Sequence, residues 1–333
     1  MILIIGGGIG GLTLAQKLKQ AGVRAQVFER NAEAGDWLQG FRIQINEHGS
    51  HALRQCLPPA LWEAFTKTAG RPGQGMAFQT EQLDEMLFVE EELMTDPEDR
   101  SYAVSRITLR RLLLAGLDVH FGRTFERYEI NGDQVTAHFT DGSSATGDVL
   151  IGADGANSVV RGQLLLHAQR VLTDIIGVAG RVPLNDETRK WLPHRVRSGM
   201  NIVLPRSPAF LFSAVFDGRR RTTDALDQGL DLTQYGLTPE DLLDDLEDYV
   251  LWAYGTRALP EGGIEQAVRK WHPDLRRMVA ESDPGTITTM PFKTSTPVRP
   301  WQTTRVTLLG DAIHNMTPVM GLGANTALRD AAL

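Results

Sequence analysis

The chain has 333 residues, with 34 Lys and Arg against 41 Asp and Glu, a formal net charge of −7 with His neutral. A chain of this length buries a full core and is expected to form two domains; its 42% hydrophobic and 23% charged residues are ordinary for a soluble globular protein. The negative balance argues against nucleic acid and anionic membrane surfaces as partners, and the single cysteine, Cys56, excludes an internal disulfide framework or a multi-thiolate metal site.

The N-terminal run, residues 2–5, is apolar but breaks at once into Gly6-Gly7-Gly8. It is too short for a signal peptide and reads as a buried parallel strand ending in a turn. Residues 10–21 follow as a helix, with Leu14 and Leu18 one turn apart and Gly22 as its stop; residues 24–29 form a second strand. The chain therefore opens on a βαβ unit. His48 and His51 flank Gly49-Ser50 without a clear set of further ligands, so no metal site is expected. Cys56 follows Leu53 on a predicted helix and is expected in the core.

Residues 105–115 are predicted helical, carrying Leu109, Leu112 and Leu113. Three short strands follow, joined at Asn131-Gly132 and Asp141-Gly142, both strong hairpin signals. The strand at 148–151 runs into Gly152-Ala153-Asp154-Gly155. The middle of the chain differs: strand-like runs lie at 75–78, 175–178, 201–204 and 210–216. Thr238 is the expected N-cap of a helix with Pro239 in its first turn and Leu242, Leu243 and Leu246 on its apolar face. Arg219-Arg220-Arg221 reads as a solvated loop, and Trp271-His272-Pro273-Asp274 as a helix start. Residues 304–309 return to a buried strand before Gly310-Asp311. The last residues keep a helical pattern (Ala324, Leu328, Ala331) without a C-cap, so the natural chain is expected to continue. This layout predicts a discontinuous first domain, residues 1–72, 98–168 and 285–333, and a sheet-rich insert, residues 73–97 and 169–284. No apolar run reaches the length of a membrane span, and a cytoplasmic location is expected.

Three motifs carry the chemistry. The first is Gly6-x-Gly8-x-x-Gly11, which follows a strand and opens a helix, with 17 residues between Gly11 and Glu29 at the end of the next strand. In that setting Gly6 makes the tight turn, Gly8 lets a pyrophosphate approach, Gly11 lets the helix pack on the strand, and the helix N-terminus attracts phosphate. Glu29 suits an adenosine ribose and repels a 2′-phosphate, so FAD or NAD fits here and NADP does not. The simpler reading is a glycine turn in an unrelated α/β protein. The second motif is Gly152-Ala153-Asp154-Gly155 with Arg161; the third is Gly310-Asp311 and His314 with Pro318, Gly321, Gly323, Ala324 and Asn325.

These motifs, in this order, resemble the class A flavoprotein aromatic hydroxylases, the group containing p-hydroxybenzoate and salicylate hydroxylases. The resemblance covers residues 1–50, 105–161 and 285–333, and the middle only in layout. It implies an α/β fold: a discontinuous Rossmann-like FAD-binding domain with an inserted α+β, sheet-rich substrate domain. It implies that Gly6, Gly8, Ile9, Gly10, Gly11, Glu29 and Arg30 meet the ADP part of FAD, with Arg42 and Gln44 on a cofactor-contacting loop. Arg106 is similar to an arginine that contacts FAD. Asp154 and Gly155 match a motif tied to FAD and pyridine-nucleotide use. Asp311 matches an aspartate bonded to the ribityl hydroxyls, while Pro318, Gly321, Gly323, Ala324 and Asn325 lie where the family meets the flavin ring. A helix N-terminus there would stabilise an anionic reduced flavin. The same positions admit plainer readings: Asp311 as a helix cap, His314 as a packed or capping residue, Arg106 in a surface ion pair.

The implied reaction is hydroxylation of an apolar, aromatic or polycyclic small molecule, with NAD(P)H as transient cosubstrate and O2 as oxidant, through a flavin C4a-hydroperoxide. Epoxidation of an alkene or terpenoid stays open. Halogenation is disfavoured, because none of the six tryptophans stands in a Trp-x-Trp-x-Ile-Pro segment. A non-catalytic dinucleotide sensor is the alternative from another class. No catalytic base and no oligomeric state can be named from the residues.

Overall fold

The computed structural model describes residues 1–33, 42–70, 73–91, 100–217, 231–242 and 247–333. In chain order the first part gives β1 (Ile2–Ile5), α1 (Ile9–Gln20), β2 (Ala25–Phe28), β3 (Arg42–Ile45), α2 (Glu47–Cys56), α3 (Pro59–Thr68), β4 (Gly75–Gln79), β5 (Glu85–Glu90), β6 (Tyr102–Ser105) and α4 (Arg106–Leu114). Then come β7 (Val119–His120), β8 (Phe125–Asn131), β9 (Gln134–Phe139), β10 (Ser144–Gly147), β11 (Val149–Gly152), α5 (Val159–Leu164), β12 (Arg170–Pro183), α6 (Thr188–Trp191), α7 (His194–Ser198), β13 (Met200–Val203) and β14 (Ala209–Phe216). The rest is β15 (Tyr249–Thr256), α8 (Gly263–Val268), α9 (Pro273–Ala280), β16 (Thr288–Ser295), β17 (Val306–Leu308), α10 (Asp311–His314) and α11 (Leu322–Ala332).

A five-stranded sheet, in the order β17-β11-β1-β2-β7, is parallel throughout. Its central strand is buried on both faces, with Leu3 and Ile4 fully enclosed. That is why residues 2–5 read as an unbroken apolar run and not as an alternation. β17, from near the end of the chain, closes beside β11, so this α/β unit is discontinuous. Helices α1, α2 and α4 pack around Leu12, Leu53, Leu109, Leu112 and Leu328 in one core. The meander β8-β9-β10 folds over the other side, its turns set by the two predicted Asn-Gly and Asp-Gly pairs.

The inserted sheet has seven strands, in the order β16-β12-β15-β14-β13-β4-β5. Alternation along its strands separates two faces. The back face buries Val178, Val182, Leu211, Val250, Trp252 and Tyr254 against Val196, Leu275 and Met278 of the helices. Trp252 satisfies its indole N–H on Ser282 Oγ at 2.7 Å. The front face carries Phe78, Ile202, Phe210, Phe212, Leu251 and Ala253, all half-buried.

Two expectations change. Thr288–Ser295, assigned by the sequence boundary at 285 to the cofactor domain, pairs with β12 and so belongs to the large sheet. β12 spans 14 residues and offers an edge that a neighbouring extended segment satisfies. The helix expected from Thr238 is a single 3-10 turn, Pro239–Leu242, within the described residues. Thr238 donates its N–H and hydroxyl to the Asp241 carboxylate, so the acid caps the threonine. Leu243, Leu246, Trp37 and the Arg219-Arg220-Arg221 run lie outside the described residues. No helix among the described residues is long and apolar enough to cross a membrane.

Candidate cofactor site

The three motifs occupy the turns that leave the carboxyl ends of β1, β11 and β17, which are neighbours in the parallel sheet. Open α/β sheets bind ligands in this position. Gly6 sits at φ +113°, and a Cβ on it would come 2.3 Å from the Ala153 carbonyl oxygen, so only glycine allows the first and second motifs to meet. A Cβ on Gly11 would lie 2.2 Å from the Gly6 carbonyl oxygen. Around Gly8 the reverse holds: no atom lies within 4 Å of where a Cβ would sit. Gly10 faces Leu309 and Ala327, so α1 rests directly on the segment leaving β17 and on α11. Ile9 opens α1 with its side chain against the core.

Glu29 is already engaged. Its Oε2 accepts the Gly7 N–H at 2.7 Å and its Oε1 the Asn31 N–H at 2.9 Å. Through the first of these bonds it braces the turn between β1 and α1. Arg110 supports the same turn: its Nε donates to the Gly7 carbonyl at 3.4 Å, and the Glu29 charge opposes the lowering of its pKa by burial. Arg30, the next residue, is exposed.

Ser105 caps α4 by accepting from Ile107 and Thr108 N–H, which starts the helix at Arg106. Arg106 and Arg110 are four residues apart and share a face. Arg106 is half-buried; burial lowers its pKa and the charge of Asp311, in the third motif, counters this. Asp154 spends Oδ2 on the Val159 and Val160 N–H groups, at 2.8 and 3.2 Å, as a cap for α5. Its Oδ1 is buried without a partner. Gly155 follows in a left-handed turn.

Asp311 is the first residue of α10, whose N-cap is Gly310 and not the aspartate. Its Oδ1 lies 3.6 Å from where a Cβ on Gly323 would stand, over the first turn of α11. Pro318 begins a 3-10 turn that ends at Gly321, and α11 starts there with no side chain on its free N–H groups. Gly323 and Ala324 lie in that first turn. His314 bonds the Asp330 carboxylate at 2.5 Å, which raises its pKa against the effect of burial.

Two residues assigned to the cofactor are committed elsewhere. The Asn325 amide donates to the Gln44 and Gly321 carbonyls at 3.0 and 3.1 Å, and its oxygen accepts the Asn46 N–H at 2.9 Å. Its side chain is a staple between α11 and β3. Arg42 donates its backbone N–H to the Tyr249 hydroxyl at 2.7 Å and its guanidinium to the Val215 carbonyl and Gln44 Oε1. Burial pushes Arg42 down to about 10, against Tyr249 and Asp217. It ties β3 to the large sheet. Arg42 Nε and Gln44 Nε2 remain buried donors with no partner. Arg110, Tyr249 and Asp330 were invisible in the sequence, because each acts through a partner over 80 residues away or from a different motif.

The residues present fit a flavin dinucleotide. The space at Gly8 suits a diphosphate, the orphaned Asp154 Oδ1 and the uncapped Asp311 offer acceptors to hydroxyls, and the start of α11 offers free donors. The chain belongs to the FAD-binding domain family, which matches residues 1–333. It is 30% identical to the dual O-methyltransferase/FAD-dependent monooxygenase elcB of Phaeosphaeria nodorum, over 99% of this chain and 39% of that protein. The chain thus spans about two fifths of the length of the first curated relatives it matches. It is also 30% identical to the FAD-dependent urate hydroxylase of Klebsiella pneumoniae, over 99% of this chain and 79% of that protein. Among solved structures, a Photorhabdus luminescens protein assigned as an FAD-containing monooxygenase superimposes with a TM-score of 0.83 at 33% identity, over 100% of this chain and 86% of that one.

Proposed function

We propose that this chain is the catalytic part of an FAD-dependent monooxygenase that uses NAD(P)H and O2 to hydroxylate an apolar, aromatic or polycyclic small molecule. The observation that carries the substrate class is the front face of the large sheet. Tyr249 lies on that face with Leu251 and Ala253, and its hydroxyl reaches Arg42 on β3. At another point the Ser295 N–H and Arg170 Nε bond to Asn315, beside the third motif. The face held between these ties is Phe78, Ile202, Phe210, Phe212, Leu251 and Ala253, half-buried and apolar, with one charged side chain at its border, Arg181, which lies over the Tyr249 ring and pairs with Asp283. Such a wall gains about 25 cal/mol per Å² from an apolar ligand and offers a polar one nothing in return for its hydration.

In this reading residues 1–72, 98–168 and the chain from β17 onward hold the cofactor, and the large sheet roofs the substrate. Gly6, Gly8 and Gly11 shape the diphosphate turn, Glu29 braces it, Asp154 Oδ1 and Asp311 accept hydroxyls, and Arg106 balances their charge. FAD, when bound, supplies the redox chemistry, taking two electrons from NAD(P)H and activating O2. The chain's part is to hold the reacting partners together, to set the positive end of α11 against developing negative charge, and to keep water out with the apolar wall.

The test is a substrate screen following NAD(P)H oxidation, with hydrogen peroxide measured in parallel. Apolar aromatic compounds should give coupled turnover, and Phe212→Asp should divert reducing equivalents to peroxide while FAD stays bound. Coupling confined to polar substrates, or undisturbed in Phe212→Asp, would refute the apolar wall. A colourless protein that takes up no added FAD would return the chain to a sensor or a structural role.

A further inference from the structure

Asp330 lies in the last turn of α11, yet its Oδ2 accepts two hydrogen bonds from outside that helix. One comes from the Gly310 N–H at 2.8 Å, the other from His314 Nε2 at 2.5 Å. These donors are the residue before α10 and the last residue within it. One carboxylate oxygen therefore pins both ends of the turn that carries Asp311. A four-residue helix has no stability of its own, so its geometry depends on such a fastener. Asp311 meets α11 at the opposite end, over Gly323. The same helix thus holds the Asp311 turn at one end and faces its carboxylate at the other.

The pair is largely buried, its side chains 32% and 25% exposed. The Asp330 hydrogen bond keeps His314 protonated to higher pH than usual, burial opposes this, and Asp311 adds to it. Burial raises the Asp330 carboxyl, but the bonds from His314 and Gly310, with the charge of Arg329, outweigh it and the net direction is down. The other charged groups on the turn are Arg106, which interacts with Asp311, Arg161, whose Nη1 donates to the Ala312 carbonyl at 2.8 Å, and Arg170, whose Nε donates to Asn315 at 2.6 Å. β16 contributes no charge to the turn, only the Ser295 N–H and the Thr294 hydroxyl, on the Asn315 carbonyl at 2.7 and 3.5 Å. Arginines do not titrate near neutrality and the Asp330 carboxyl is shifted down, away from it, so the His314–Asp330 pair changes charge at its histidine.

We propose that the protonated His314–Asp330 pair is a positioning device for Asp311, so that FAD is held more tightly while His314 carries its proton. This rests on the reading of Asp311 as a contact of FAD. Neither His314 nor Asp330 need touch the cofactor. The pinned turn is the state that binds, and loss of the proton weakens the pin and lowers the population of that state. The sign follows from the direction of the shift: a histidine favoured as the cation in the ordered site contributes fully at low pH and less as pH rises through its folded titration. Replacing a charge-assisted hydrogen bond by a neutral one corresponds to a change of about five-fold in retention.

The experiment follows FAD release from the full-chain holoprotein by recovery of flavin fluorescence between pH 6 and 9. Wild type should release FAD about five-fold faster at the top of this range. His314→Gln keeps a donor but cannot titrate, so its rate should be flat and close to the high-pH wild-type value. Asp330→Asn should likewise be fast and flat. A wild-type rate independent of pH overturns the proposal by itself, even if both variants fail to fold. So does a His314→Gln protein that keeps the wild-type slope. Failure to hold FAD at any pH would instead strike the cofactor assignment, whereas tight, pH-independent holding removes only the His314–Asp330 device.

Discussion

Gly8 and Gly11 stand three residues apart in one turn, and the structure makes them fail in opposite ways. Gly8 has φ −83° and ψ −178°, a conformation any residue adopts, and open space where a side chain would go. Gly8→Val should therefore leave the apoprotein within about 0.5 kcal/mol of wild type. The valine would fill the space reserved for the diphosphate and weaken FAD binding at least about 100-fold, or about 2.7 kcal/mol. Gly11→Ala puts a methyl 2.2 Å from the Gly6 carbonyl oxygen, against an ordinary contact of 3.4 Å. Backbone must move by about an ångström in the middle of the βαβ unit, which costs about 3 kcal/mol. In a chain of this size that lowers the melting temperature by about 6 °C. The assay pairs thermal melts of the apoproteins with the ratio of flavin to protein absorbance after incubation with FAD. A yellow Gly8→Val protein with the wild-type ratio would refute the phosphate assignment, and an unchanged melt for Gly11→Ala would refute the packing argument.

Three further outcomes follow from the geometry. Tyr249→Phe removes the acceptor of the buried Arg42 N–H and should cost about 2 kcal/mol, read in a denaturant titration, while FAD affinity is unchanged. Asn325→Ala strands the Asn46 N–H and the Gln44 carbonyl; a loss of about 3 kcal/mol and faster FAD release are expected, and a melt within a degree of wild type would contradict the staple. Burial pushes the Cys56 thiol up to about 11, so it should not react with a thiol reagent at pH 8 until the chain is unfolded, when one equivalent reacts. Because the unfolded thiol ionises first, its contribution to stability declines as pH rises above about 9.

The sequence by itself determined the local parts. An apolar run between turns, glycines at fixed spacing, Asn-Gly and Asp-Gly pairs and leucines at helical spacing each act through neighbours a few residues away, and so β1, α1, the β8-β9-β10 meander and α4 were legible. The order of the motifs was enough to suggest the family. Tertiary structure alone decided which charges meet. Glu29 under Gly7, Arg106 facing Asp311, Arg42 against Tyr249 and Asp330 beneath Gly310 join residues far apart in the chain, and a hydrogen bond depends on orientation in space, which residue spacing does not encode. The same reason moved Thr288–Ser295 into the large sheet and gave the Asn325 side chain its bonds to Gln44, Asn46 and Gly321. Burial decides whether a polar side chain can face a ligand, and burial is a property of the assembled layers.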